Sequence, residues 1–252
     1  MPHTERILPG QRYAVVSCHV ERPLDDDVWP RFAGFQERRP GGFRIAALMR
    51  PPEPNVGEDE GRWVERARAA AARGPLGLHT HWTAPDHARP TSGEPAALVC
   101  EQIAWLRTHP DLGISVFCGG GWYMDEAVAS VLAEHGFADC TATAFRPAYL
   151  PEGAPRLHAQ EPGYLELASG MRLLELPTTH SIGMLVRAAF TPMRQPVLHA
   201  YFHDTDLLEP RRRAALLAGL MILGRRREAT DLAELQRGFA PTKTMSFASS
   251  RG

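Results

Sequence analysis

The sequence has neither a long apolar segment nor a cluster of cysteines. Its longest apolar run, residues 214–224, is too short to cross a bilayer, which takes about 20 residues. Its four cysteines show no CxxC spacing, which argues against a zinc ribbon and a disulfide-dense scaffold. We expect reduced, buried thiols and no membrane span.

An excess of charge of either sign is also missing. The chain carries 28 Lys and Arg against 29 Asp and Glu, without a long basic stripe. Broad electrostatic binding to nucleic acid is therefore not expected. The first residues lack the apolar core of a secretory signal, which favours a cytoplasmic location.

Short apolar runs alternate with amphipathic stretches along the chain. The runs predict strands at residues 13–20, 43–49, 75–80 and 113–118, each followed by a helical pattern, as in βαβ construction. Two later strands are predicted at 173–177 and 197–203. We interpret residues 13–240 as one barrel-like α/β domain, between an N-terminal extension (1–12) and a flexible tail (241–252).

Histidines and a carboxylate concentrate where the predicted strands end. Parallel α/β folds bind ligands at the carboxyl ends of their strands. His79 and His81 form an HxH stretch, and side chains two apart on a strand point to the same face. Such a pair could share a metal ion, although a bare HxH is also a frequent chance pair. The polar strand-end residues are His19, Glu21, His79, His81, His199 and His203.

Five stretches, taken in order, resemble one known superfamily. They are "AVVSCHVE", "LGLHTHWTAP", "VFCGGGWYMDEAVASVLAEHGFADCTAT", "LLELP" and "YFHDTDL". Together they resemble the polysaccharide deacetylase superfamily (NodB-like, carbohydrate esterase family 4). The resemblance is closest to the branch whose first strand ends in Asp-Val-Glu, and it spans residues 13–238.

The resemblance implies a fold and a chemistry. The fold is a single-domain distorted (β/α) barrel of about seven parallel strands. The chemistry is hydrolysis of an acetamide by a water on a divalent metal, often zinc, held by an acidic residue and two histidines. An Asp near the first motif acts as base, and a late histidine protonates the leaving amine. Metal ions and histidine are suited to these steps near neutral pH.

Several positions take roles from this resemblance. His79 and His81 match the metal histidines, and His203 matches the late histidine, which we assign as general acid. His199 lies on the same strand face and is its competitor, or a substrate contact. Trp82 and Trp122 follow motif turns, where they could stack on a sugar or close the rim as core residues.

The sequence departs from the family pattern at two positions. His19 stands where the family has its catalytic Asp, and Cys118 stands where an arginine is usual. Three interpretations stay open: His19 is a third metal ligand, Glu21 supplies the base, or the site is degenerate.

These observations favour a metal-dependent hydrolase that removes an N-acetyl group from an amino-sugar-containing small molecule or oligosaccharide. One alternative is a degenerate member of the fold that binds a glycan or a protein partner. Another is a metal-independent amidohydrolase that uses Glu21 with the histidines as acid and base. The pattern leaves the oligomeric state open.

Overall fold

The computed structural model describes residues 10–91, 93–145, 155–188 and 195–247. Within them, strands β1 to β10 are, in chain order, Tyr13–Val20, Ala46–Met49, Leu76–Thr80, Val116–Gly119, Ala138–Asp139, Gly163–Glu166, Arg172–Glu175, Val197–His203, Glu228–Ala229 and Thr244–Met245. Helices α1 to α7 are Trp29–Arg38, Glu60–Ala71, Pro95–Leu106, Glu126–Glu134, Ile182–Ala188, Pro210–Arg226 and Leu232–Gly238.

One mostly parallel sheet organises the chain. Its strands follow the order β10-β6-β7-β5-β4-β3-β2-β1-β8, and β9 pairs with β1. All the pairings are parallel except β6 with β7. The carboxyl ends of β1, β2, β3, β4 and β8 therefore meet at the same edge of the sheet.

The named strands form an open path, so the predicted seven-stranded barrel is not confirmed. Isolated parallel bridges link Thr143 to Thr178 and His180 to Ala200. The segment after β7 thereby reaches from the end of β5 to β8. The coarser prediction, a mixed α/β domain with a parallel central sheet, is confirmed.

Both faces of the sheet are covered. All eight residues of β1 are buried, as expected for a strand in the middle of a parallel sheet. One apolar cluster fills the space between the sheet and the helices and includes Phe32, Trp63 and Phe117. The second lies on the opposite face and includes Val15 and Leu48. The site residues of β1, β3 and β8 share this second face.

The strand boundaries of the structure can be compared with those predicted from the sequence. The strands predicted at 13–20 and 197–203 have those bounds in the structure. β6 was missed, because it lies in a stretch rich in Pro and Gly. β10 lies inside the predicted tail and pairs with β6, so ordered structure extends past residue 240. Residues 1–9 of the predicted extension lie outside the described residues. Among the described helices, none combines the length and the apolar character that a membrane span requires.

Two buried carboxyl groups lie side by side in this sheet. Asp139 on β5 pairs in register with Glu175 on β7, and both are 0% exposed. The hydroxyl of Thr141 donates to Asp139 over 2.6 Å. Burial raises the pKa of Asp139 to about 6. Burial, reinforced by the charge of Asp139, raises the pKa of Glu175 well above its usual range.

We expect Glu175→Gln to stabilise the protein more at pH 8 than at pH 4. A carboxyl whose pKa is raised by folding holds more protons in the folded chain, so the free energy of unfolding falls as pH rises through the shifted range. The free energy of unfolding of the variant minus that of the parent should therefore be larger at pH 8 than at pH 4, because the buried histidines titrate in both proteins and cancel in this difference. Urea unfolding at each pH measures this difference. Glu166→Gln, at an exposed position, should follow the parent, whereas a Glu175→Gln curve parallel to the parent's would contradict the expectation.

Candidate functional site

Three strand ends bring one carboxylate and four imidazoles together. His19 of β1 pairs in register with His203 of β8, and His79 sits near the end of β3. Glu21 and His81 come directly after their strands, where the chain leaves the sheet. The ring centroids of His19 lie 4.5 Å from His79 and 5.2 Å from His203. The predicted site residues of these strand ends therefore form one cluster.

The Glu21 carboxylate is the centre of this cluster. Its Oε1 lies 3.2 Å from His79 Nε2 and 3.7 Å from His203 Nε2. Its Oε2 contacts His81 Nε2. Burial acts to raise the pKa of Glu21, but His79 and His81 outweigh it and hold that pKa well below its usual range. Glu21 is therefore an ionised acceptor that faces three imidazoles.

Two buried polar side chains fix the backbone around Glu21. The backbone N–H of Arg22 donates to Asp204 over 2.9 Å. Arg50 Nε donates to the carbonyl of Glu21 over 3.1 Å, and the same guanidinium is paired with Glu58. Because Asp204 and Arg50 are nearly inaccessible to solvent, they hold the turn rigidly.

The orientation of His79 leaves one ring nitrogen available. His79 Nδ1 lies 2.9 Å from the carbonyl oxygen of Cys118, to which its N–H can donate. That bond leaves Nε2 as the atom that faces Glu21. Metal-binding histidines commonly donate their second N–H to a backbone carbonyl in this way. The register of β3 with β4, which pairs His79 with Cys118, produces the contact.

His19 lies deeper than the other histidines of the cluster. It is 3% exposed, and its Nε2 is 3.5 Å from Cys118 Sγ. Burial, with help from neighbouring His79 and His203, lowers its pKa well below the usual value. His19 is therefore a neutral imidazole, able to accept a proton or to bind a metal.

His203 has the opposite environment. Its Nδ1 lies 3.7 Å from Asp206, and its backbone N–H donates to the same carboxylate over 2.8 Å. Asp206 is in turn paired with Arg212 over 2.6 Å. Burial acts to lower the pKa of His203, but Asp206 and Glu21 outweigh it and raise that pKa. His203 is the half-exposed imidazole best placed to carry a proton.

The donor atoms of the cluster fit a divalent metal. Three groups have ligand atoms within 4.8 Å of one another: Glu21 with His79 and His81, His19 with Glu21 and His203, and His19 with His79 and Cys118. The last group is entirely buried, whereas Glu21 and His81 keep partial access to solvent. A carboxylate and two imidazoles with one open side are a usual donor set for catalytic zinc.

The three predicted substrate contacts lie deeper than expected. Trp82 is 2% exposed and its indole N–H donates to the carbonyl of Gly120, so it packs as a core residue. Trp122 is 4% exposed and packs against His19 at 5.4 Å. His199 is 1% exposed and its Nε2 is 2.8 Å from Ser17 Oγ. Burial lowers the pKa of His199 to about 4. It lies four residues before His203 on β8, and its Nε2 faces Ser17 and not Glu21.

Two further rings pack against the cluster, and sequence reasoning missed the first of them, Tyr201. Tyr201 lies between His199 and His203 on β8, with its ring 5.1 Å from His19 and 5.6 Å from His203. The two-residue period of the strand could have identified it. His87 stacks on His81 at 5.0 Å, from a loop whose path the sequence does not give.

Comparisons with known proteins identify similar folds but do not assign the chain to a family. Neither a protein-family model nor a curated protein matches the sequence. The solved 4-alpha-glucanotransferase from Thermococcus litoralis is similar over 94% of this chain, with TM-score 0.61 and 14% identity; the match covers 42% of that protein. A proposed polysaccharide deacetylase involved in O-antigen biosynthesis, from Bordetella bronchiseptica, is similar over 90% of this chain and 88% of its own, with TM-score 0.41 and 14% identity. The first likeness shows a shared fold alone.

We expect the purified protein to hold about one equivalent of a zinc-like metal at Glu21, His79 and His81. Elemental analysis of the parent, Glu21→Gln and His79→Ala/His81→Ala measures it. Removing a residue that only hydrogen-bonds to a metal ligand typically lowers metal affinity by about 10–100-fold. Removing a ligand itself should cost more, so both variants should be without metal after dialysis. His158→Ala, at an exposed position, should keep the parent's content. Equal metal content in the parent and the double variant would contradict the assignment.

Proposed function

We propose that this protein is a metal-dependent hydrolase that removes an N-acetyl group from an amino-sugar-containing substrate. The observation that carries the proposal is the convergence of His79, His81 and His203 on the Glu21 carboxylate at the strand ends. The sequence motifs that resemble the polysaccharide deacetylases contain these same residues. A site with a carboxylate, two imidazoles and a separate proton donor has the parts that amide hydrolysis needs.

The metal in this proposal would be held by Glu21, His79 and His81. When bound, a divalent ion such as zinc supplies Lewis acidity toward the acetamide carbonyl and increases the acidity of water. Glu21 is then a ligand and not the base, because both of its oxygens face imidazole nitrogens. Of the three interpretations left open by the sequence, this choice excludes the one in which Glu21 supplies the base.

His19 is the residue we propose as general base, in place of the family's Asp. Its ring is adjacent to those of His79 and His203, and its centroid lies 5.1 Å from the centroid of the Tyr201 ring. An imidazole at this position can take a proton from water as a carboxylate would. Cys118 occupies the neighbouring arginine position of the family, and its Sγ lies 3.5 Å from His19 Nε2.

His203 is the residue we propose as general acid. Amide hydrolysis requires that the leaving nitrogen receive a proton, and His203 stands at the open side of the cluster. Asp206 orients its ring from one side and Arg212 fixes Asp206. This chain of contacts resembles the way a third residue orients the base in hydrolytic triads.

A cavity beside His203 gives room for the substrate. Its volume is about 550 Å³, within the usual range for small-molecule sites, and Tyr201, Ser181 and Ile182 line it with His203. Hydroxyl groups next to apolar and aromatic side chains suit a sugar ring. We propose this cavity, in place of Trp82 and Trp122, as the place where the amino sugar binds.

A second candidate function is glycan binding without hydrolysis. The observation in its favour is the replacement of the family's Asp and arginine by His19 and Cys118, which are in contact with each other. In that case the protein would keep the fold and bind a glycan in the cavity, but it would release no acetate.

We expect zinc-loaded protein to release acetate from N-acetylglucosamine derivatives, and His203→Gln to lower kcat by about 100-fold or more, the usual contribution of a general acid. An acetate assay across free, oligomeric and nucleotide-linked N-acetyl sugars measures it. Elemental analysis should show that His203→Gln keeps its metal, and His158→Gln should match the parent.

Two results would count against this account. Full activity in His203→Gln would remove the acid assignment. Binding of these sugars by metal-loaded parent protein, with no acetate released from any of them, would favour the glycan-binding alternative.

A further inference from the structure

A second cavity, of about 700 Å³, lies between the end of α1 and the outer face of α6. One wall is residues 38–42 and the other runs along α6 from residue 213 to 225. It shares no lining residue with the cavity beside His203, so the candidate site does not account for it. Its volume falls in the range of small-molecule sites. We call it the α1–α6 cavity.

Backbone contacts hold the two walls of this cavity together. A Cβ added at Gly41 would collide with the carbonyl of Leu220, and one added at Gly224 would collide with the carbonyl of Gly41. Gly41 also has a φ of +69°, which favours glycine, and its N–H donates to Met221 Sδ over 3.2 Å. The cavity is therefore preformed by a close glycine contact.

The floor of the cavity is apolar and open to solvent. Leu217 is 46% exposed and Met221 is 42% exposed, and they lie four residues apart on one face of α6. Ala214 and Pro40 extend the same surface. Adjacent exposed apolar side chains within a concave surface commonly mark a binding site.

Four arginines surround this apolar floor. Arg38, Arg39, Arg213 and Arg225 line the cavity, and no acidic residue does. Among the described residues none of these arginines forms an ion pair, and the guanidinium groups of Arg38 and Arg213 donate to the carbonyls of Gly34 and Leu207. Uncompensated positive charge around an apolar surface favours a ligand that carries a complementary anion.

We propose that the α1–α6 cavity binds an amphiphilic phosphate, with its apolar chain on Leu217 and Met221 and its phosphate among the arginines. A neutral apolar ligand would leave the four guanidinium groups without a counter-charge. A small hydrophilic anion would leave the apolar floor uncovered. Guanidinium groups bind phosphate oxygens with paired hydrogen bonds, which suits a cluster of arginines at a phosphate head.

Calorimetric titration of the full chain with decyl phosphate, below its micelle concentration, tests the proposal. We expect saturable binding that Arg38→Gln/Arg225→Gln weakens about tenfold or more. Leu217→Ser/Met221→Ser should weaken it by a similar factor. All four positions are exposed, so the variants should fold. Arg31→Gln/Arg107→Gln changes the net charge equally at exposed positions outside the cavity and should bind as the parent does.

Three results would overturn the proposal. The first is that decanol binds as tightly as decyl phosphate, and the second is that inorganic phosphate does so. The third is that the protein binds vesicles of anionic phospholipid but does not bind monomeric decyl phosphate. The four mutated residues are separate from Glu21 and its histidines, so metal content and acetate release in the same variants report on the proposed function independently.

Discussion

The Glu21 carboxylate is the constraint on which the candidate site depends. A charge removed from much of its water is costly unless it is paired, and here the partners are imidazoles from two other strand ends. His79 and His81 reach it across β2, and His203 reaches it from β8. Without that anion, the Nε2 atoms of His79, His81 and His203 would lose the acceptor that they share.

The fold supplies this arrangement through contacts remote in sequence. Asp204, after β8, holds the backbone of Arg22, and Arg50, after β2, holds the carbonyl of Glu21. The pairing of β1 with β8 places His19 beside His203. The site is therefore a product of the parallel sheet, whose strands end together, and of two buried polar side chains that fix one turn.

Much of this could be predicted from the sequence, and the rest depended on distances that the sequence does not contain. β1 and β8 were predictable because each is a continuous apolar run between polar residues. The HxH pair was recognisable because strand side chains alternate. The role of Glu21 as the shared partner of His79 and His81 was not, because it depends on how far β1 lies from β3. The depth of Trp82 was not predictable either, because it is set by a bond to the backbone of Gly120.

X-ray absorption spectroscopy of the zinc-loaded protein tests the central assignment most directly. If Glu21, His79 and His81 hold the ion, the spectrum should show only nitrogen and oxygen neighbours, at about 2.0–2.2 Å, and Cys118→Ser should leave it unchanged. A sulfur neighbour at about 2.3 Å that disappears in Cys118→Ser would instead place the metal in the buried group of His19, His79 and Cys118. That result would contradict the role given to Glu21.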